Sequence, residues 1–277
     1  MNHVVITADD FGLSPEVNDA VETAHRSGIL SAASLMVASP GAVDAVVRTR
    51  RMPNLRVGLH LVLVEARPAC APDMIPDLVD RNGFLRIDLV RLGIDLATRA
   101  EVRAQSLREI TAQFEAYRAT GLPLDHVNAH KHFHLHPVIA AQIMSVGRRY
   151  GMRALRVPLE PGRVLARIEP SAAGVPFTAI WAGLLRARTR RAGLTVPDAV
   201  FGLRWSGAMS ASRLRALIGA LPPGLNEIYL HPATADAFAG SAPGYRYVDE
   251  LAALCDPGCA EALRTSGHKP GGYGDVV

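Results

Sequence analysis

The chain has 277 residues, of which 49% are hydrophobic, 20% charged and 5% aromatic, a composition that buries a substantial core and excludes a disordered polymer. Its formal charge of +4, from 30 basic and 26 acidic side chains, is too small to argue for a nucleic-acid partner. The three cysteines, Cys70, Cys255 and Cys259, form neither a CxxC pair nor an even set, which excludes a disulfide scaffold and a cysteine-built zinc module.

In chain order, short β-branched or apolar runs alternate with longer helical patterns. Strands are predicted at 3–8 (HVVITA), 30–37 (LSAASLMV), 55–62 (LRVGLHLV), 124–129 (LDHVNA), 153–157 (RALRV), 198–203 (DAVFGL) and 225–230 (LNEIYL). Helices are predicted at 15–27, with Ser14 as cap and Pro15 in the first turn, and at 41–51, 99–119, 137–150, 176–192, 210–220 and 246–255. This alternation predicts an α/β fold, a single (β/α) barrel-like domain over 1–277 with about seven parallel strands of the TIM type. An open doubly wound sheet is the alternative. No linker, internal repeat or low-complexity tract divides the chain. No apolar run reaches a membrane span, and Asp9–Asp10 interrupt the N-terminal apolar run where a signal peptide would continue, so the expected location is the cytoplasm.

Parallel α/β folds collect their working groups at the carboxyl ends of strands. Four such ends here carry polar residues that a core would reject. Asp9 and Asp10 follow VVITA as two adjacent carboxylates, which need a shared cation or proton. They read either as a metal ligand beside a general base or as a solvated turn before the 15–27 helix. His60 sits in the apolar run RVGLHLVL and, taken alone, also fits a hydrogen-bonded core residue. In LDHVNAHKHFHLHP, residues His126, Asn128, His130, His132, His134 and His136 recur at a spacing of two, which predicts one face of a strand. Residues so spaced lie about 7 Å apart, so only one or two can ligate a given ion while the others orient it or bind substrate. The fourth end is His231.

Asp10, His60 and His130 together make a two-histidine, one-carboxylate set from three strand ends. Three protein ligands leave coordination positions open, as a catalytic site requires. Imidazole ligands suit Zn2+, while the carboxylate and water positions also suit iron, manganese, cobalt or Mg2+.

The motifs TADDFG, GLHLVL, DHVNAHKHFHLHP and EIYLHPA, in this order, resemble those of the YdjC-like carbohydrate deacetylases, a family that includes chitooligosaccharide deacetylases. FGLRWSG followed by LPPGLNEIYLHPA is similar to its hopanoid-biosynthesis-associated HpnK branch. The resemblance runs from residue 4 to about 255. It implies a barrel-like deacetylase fold, one divalent metal, with Mg2+ a candidate beside Zn2+, and removal of an N-acetyl group from an N-acetylglucosaminyl sugar. By position it implies Asp10, His60 and His130 as metal ligands, Asp9 as general base and His231 as general acid. The branch implies the head group of a hopanoid glycolipid as substrate; soluble chitooligosaccharides are the alternative within the family. One departure matters: the family commonly reads His-x-Asp-Ser-His before the ligand, and Asn128 stands where that carboxylate would be. Candidate substrate contacts are His132, His134, Arg156, Trp181 and Trp205.

Between residues 163 and 215, nine Arg face only Glu169 and Asp198, a local charge of +7. Over 176–192 this charge is interleaved with Phe177, Ile180, Trp181, Leu184 and Leu185, a cationic amphipathic pattern. It reads as a surface helix packed on the barrel or as a lid at 163–215 that touches anionic lipid at the inner face of the membrane. A homodimer is a further candidate assembly. Two other function classes use the same residues: a metal-dependent sugar lyase or isomerase, and a non-catalytic metal- or sugar-binding module.

Overall fold

The computed structural model describes residues 2–172, 174 and 178–276. The chain runs β1 (His3–Phe11), α1 (Pro15–Ser27), β2 (Ala32–Leu35), α2 (Ala42–Thr49), β3 (Arg56–Leu61), α3 (Leu89–Thr98) and α4 (Ala100–Ala119). It continues through β4 (Val127–Ala129), α5 (Pro137–Arg149), α6 (Gly162–Ile168), α7 (Ala179–Arg191), β5 (Ala199–Phe201) and α8 (Ala211–Gly219). It ends with β6 (Leu225–Leu230), α9 (Tyr247–Leu254), α10 (Pro257–Thr265) and β7 (Lys269–Pro270). All strand pairs are parallel, in the order β4-β3-β2-β1-β6-β5, with β7 added at the start of β1.

The sheet curls because an extended segment links its two edges. Leu155 bridges to Val127 in β4 and Ala154 to Thr195. The Val200 amide of β5 donates to the Leu159 carbonyl at 2.9–3.0 Å spacing typical of a ladder, here 3.0 Å. The predicted strand at 153–157 is therefore corrected to extended chain with isolated bridges. Pro158 and Pro161 lack the N–H groups that a longer ladder would use. The result is a single α/β domain whose curled parallel sheet forms a half-barrel, the barrel-like architecture expected from the alternation of strands and helices.

Side-chain alternation sorts β1 into two environments. Val4, Ile6 and Ala8 enter the main core between sheet and helices. Val5 joins Ala32, Ala154, Leu225 and Tyr273 in a small apolar plug inside the curl. Thr7 and Asp9 share that inner face, so a polar stack rises from the plug toward the strand ends. Gly58 of β3 is required here, since a Cβ would lie 2.6 Å from the His126 ring.

Three helices were not anticipated. α3 is capped by Asp88, which accepts from the Arg91 amide, and α10 by Asp256, which accepts from the Cys259 amide. The seven-residue α6 is too short for a periodic signal. The start of the predicted 176–192 helix, including Phe177, lies outside the described residues. Among the described residues no helix is long and apolar enough to cross a membrane.

Candidate metal centre and active site

At the end of β1 the pairing with β2 shifts register between Ala8 and Phe11, and Asp10 adopts a left-handed backbone with φ of 62°. This bulge re-aims two successive carboxylates. Asp9 points into the curl, while Asp10 reaches the ligand cluster at the strand ends.

Asp10 Oδ1 lies 3.2 Å from His60 Nε2 and 3.3 Å from His130 Nδ1, and the two imidazole nitrogens are 3.3 Å apart. Ligands held about 2.0–2.1 Å from one tetrahedral ion are separated by about 3.3 Å, so this triangle fits Zn2+. Asp10 Oδ1 is buried without a hydrogen bond, and a cation in the triangle would supply the partner it lacks. Charge supports the same fit: buried Asp9, Asp10 and Glu227 face a single buried guanidinium, Arg156. With neutral imidazoles the cluster carries a formal excess of two negative charges, which a divalent ion would cancel.

Neighbours fix each ligand. His60 Nδ1 lies 2.8 Å from Asn128 Oδ1 and 3.0 Å from Ser34 Oγ. The Asn128 amide donates to Asp9 Oδ1 at 2.9 Å and to Ser34 Oγ at 3.1 Å. An amide turned to donate to a carboxylate must present its oxygen to His60, so Nδ1 carries the proton and Nε2 is free to ligate. His130 turns its other nitrogen, Nδ1, toward the triangle; its Nε2 is 4.0 Å from Glu65 Oε2, and Glu65 also pairs with Lys131.

The strand reading of the histidine run holds only for its first part. Regular pairing ends at Ala129, and residues 130–135 form a 3-10 turn in which Lys131 and His132 have φ of 51° and 53°. His126, Asn128 and His130 share the inner face as expected, whereas the rest diverge. His132 Nε2 meets the Tyr229 hydroxyl at 2.9 Å. His134 is fully buried and its Nε2 donates to the Arg156 carbonyl at 2.9 Å. His136 is the residue before α5.

Asp9 is held from below. Arg156 donates through Nη1 to Oδ2 at 2.5 Å and through Nη2 to Oδ1 at 2.9 Å, and Ser34 Oγ donates to Oδ1 at 2.8 Å. Burial alone would raise the Asp9 pKa; the Arg156 guanidinium and then His60 outweigh it and hold the carboxyl well below the usual carboxylate range. Arg156 in turn donates to both Glu227 oxygens, at 2.9 and 2.7 Å. Its guanidinium carbon lies 4.6 Å from the Tyr229 ring centroid.

Asp9, Asp10, His60, His130 and His231 line one cavity of about 500 Å3, with His132, Tyr229 and Tyr245 in its wall. The His231 amide donates to Glu250 Oε2 at 2.5 Å, while its buried ring Nδ1 has no partner. The Tyr245 ring stands edge-on to His231 at 5.3 Å. It lies flat over Gly207, where a Cβ would meet it at 2.3 Å, and its hydroxyl bonds Ser206 Oγ at 2.9 Å.

The structure thus brings together the five predicted metal and catalytic residues and adds His132 to the wall. The other candidate substrate contacts do not line this cavity. His134 and Arg156 are buried beneath it, and Trp205 is buried with the Arg213 guanidinium 5.3 Å from its ring. Trp181 is half-exposed on α7, a helix that contacts α5 and the 130–135 turn. Ser34, Glu65, Glu227, Tyr229 and Tyr245 were not anticipated. Ser34 in AASL and Glu227 in LNEIYL do carry a signal, a polar residue inside an apolar strand. Glu65, Tyr229 and Tyr245 carry none until the fold places them.

The sequence pattern of the family described as YdjC-like protein matches residues 3–265. A carbohydrate deacetylase of Geobacillus stearothermophilus is 30% identical over 259 residues, covering 92% of this chain and 90% of its own. One of Thermoanaerobacter pseudethanolicus is 24% identical, covering 85% and 83%. A solved structure from Enterococcus faecalis, described as a candidate cellobiose-phosphate cleavage protein, superposes over the full length of both chains with a TM-score of 0.78 at 22% identity, a likeness of fold.

Proposed function

This chain belongs to the YdjC-like protein family, and from that premise we propose that it is a metal-dependent carbohydrate deacetylase that removes the acetyl group from an N-acetylglucosaminyl sugar. The observation that carries the reading is the triangle of Asp10, His60 and His130 at the cavity floor, with Asp9 and His231 lining the same space. The relatives named as carbohydrate deacetylases support the acetyl chemistry.

Asp10, His60 and His130 would hold the ion, with Zn2+ favoured by the ligand spacing. Such an ion polarises a carbonyl and makes water more acidic. Asp9 is the base. Its Oδ1 accepts three hydrogen bonds, from Arg156, Ser34 and Asn128, while Oδ2 meets only Arg156 Nη1, so Oδ2 keeps lone-pair capacity for a proton taken from water. His231 then protonates the departing amine. Tyr245 and Tyr229 present ring surface of the kind on which a pyranose packs.

The head group of a hopanoid glycolipid is the favoured substrate, and the outer face of α7 supports an amphiphilic one. Ile180, Trp181 and Leu184 are 75%, 49% and 60% exposed on it. Arg148, Arg188 and Arg191 line a groove between α5 and α7, and neither helix carries an acidic residue. These features suit peripheral contact with anionic lipid.

The test is acetate release from an N-acetylglucosaminyl lipid and from chitooligosaccharides, with and without chelator. Release abolished by chelator and restored by Zn2+ is expected. Sugar cleaved or isomerised without acetate would transfer the site to the lyase or isomerase class.

A further inference from the structure

The C-terminal segment enters the bottom of the barrel. β7 pairs with β1 at His3 and Val4, and the Ser31 hydroxyl donates to the Gly271 carbonyl at 2.8 Å. Asp125 accepts from the Tyr273 amide at 3.1 Å and the Gly274 amide at 2.9 Å, and Arg56 pairs with Asp275 at 2.7 Å. This docking drives Tyr273 fully inside, stacked on His126 with ring centroids 4.9 Å apart.

There the Tyr273 hydroxyl donates to Glu227 Oε2. Glu227 is wholly buried and also takes the Thr7 hydroxyl at 2.7 Å and two Arg156 donors. Arg156 spends its remaining bonded donors on the two oxygens of Asp9. Each member is therefore oriented by the one below it: Tyr273 fixes Glu227, Glu227 fixes Arg156, and Arg156 fixes Asp9. A buried guanidinium between two carboxylates has two competing partners, so loss of a donor on one carboxylate redistributes its bonds to both.

We infer that Tyr273 is a positioning residue of the reaction, acting through Glu227 and Arg156 on the orientation of Asp9, and that the C-terminal tail is therefore part of the active-site support. This rests on Asp9 being the base. Tyr273 touches neither the ligand triangle nor the cavity wall, so its removal should leave metal and substrate binding alone.

The test uses the full chain with Tyr273→Phe, which keeps the ring on His126 and deletes the hydroxyl. Three quantities are read: kcat and KM for acetate release, Zn2+ affinity by calorimetry with the metal alone, and hydrogen exchange of the Arg156 Nε–H by NMR. Expected are a kcat lowered about tenfold, the scale of one charge-assisted hydrogen bond, unchanged KM and Zn2+ affinity, and Arg156 exchange at least about tenfold faster. Glu227→Gln, which keeps the shape and removes the charge, should move kcat and exchange in the same direction. Wild-type kcat with wild-type exchange overturns the inference, as does a kcat loss that comes with raised KM or weakened Zn2+ binding. If wild-type protein releases no acetate, the deacetylase reading fails by itself and the Arg156 exchange rate alone decides the relay.

Discussion

Asn128 Oδ1 and His60 Nδ1 lie 2.8 Å apart, and this one contact decides which nitrogen of His60 faces the ligand triangle. A carboxylate at 128 would stand against Asp9, 2.9 Å from the present amide nitrogen; the amide instead donates to Asp9 and accepts from His60. Neutral Asn128 therefore couples Asp9, the proposed base, to His60, a proposed ligand, without adding charge. Asn128→Leu, close in volume, should lower Zn2+ affinity by about 10- to 100-fold, the usual effect of losing a hydrogen-bond partner behind a ligand. Calorimetric titration of the metal-free protein measures it, and wild-type affinity would remove the orienting role.

Asp9→Asn and His231→Ala separate chemistry from metal binding. Neither side chain contributes a ligand atom to the triangle, so both variants should retain bound Zn2+. Each should lose most turnover, on the order of 100-fold or more for a missing proton-transfer group. By contrast His130→Ala should lose the metal and the activity together. Near-normal acetate release in the Asp9 or His231 variant would reassign that residue.

Arg156 is the single counter-charge shared by Asp9 and Glu227, and all three are buried. Arg156→Leu leaves two buried carboxylates without a counter-charge, which costs about 3–5 kcal/mol of stability. The expected outcome is a large fall in the denaturant midpoint. Glu227→Gln paired with Arg156→Leu should recover part of it, because one uncompensated charge is gone.

How much of this was legible in the sequence follows the reach of each signal. Asp9, Asp10, His60 and His231 stand at ends of strands that announce themselves by apolar runs, and the parallel fold brings such ends together. The histidine run misled because alternation predicts a continued strand, whereas Lys131 and His132 turn left-handed immediately after His130. Arg156 reads in the sequence as a candidate substrate contact; its place beneath the cavity needs Asp9 and Glu227 on either side, from strands 147 and 71 residues away. Tyr273 lay in a tail whose composition, rich in Gly, gave no pattern. The basic segment was legible as charge and periodicity, but its packing on α5 is tertiary.

The outer face of α7 offers a membrane test independent of the chemistry. Liposomes with anionic lipid should sediment the protein at low salt, and binding should weaken as salt screens the arginines. Trp181→Ala should weaken it further without altering acetate release from a soluble substrate. Equal sedimentation with neutral and anionic vesicles would dismiss the electrostatic contact.

His134 makes stability depend on acid. Burial, with the Arg156 charge adding to it, depresses its pKa to about 3 even though the bond to the Arg156 carbonyl works the other way. The unfolded chain takes up this proton below about 6.5, while the folded chain refuses it until about 3. Between those values the unfolded state binds more protons, so the His134 contribution is fully present above about pH 6.5 and is lost progressively as pH falls toward 3. His134→Gln can keep an N–H donor to the Arg156 carbonyl and cannot titrate. Denaturant midpoints measured across this window should fall with acid in the wild type and fall less steeply in the variant. Parallel acid limbs in the two proteins would show that His134 is not the group that titrates.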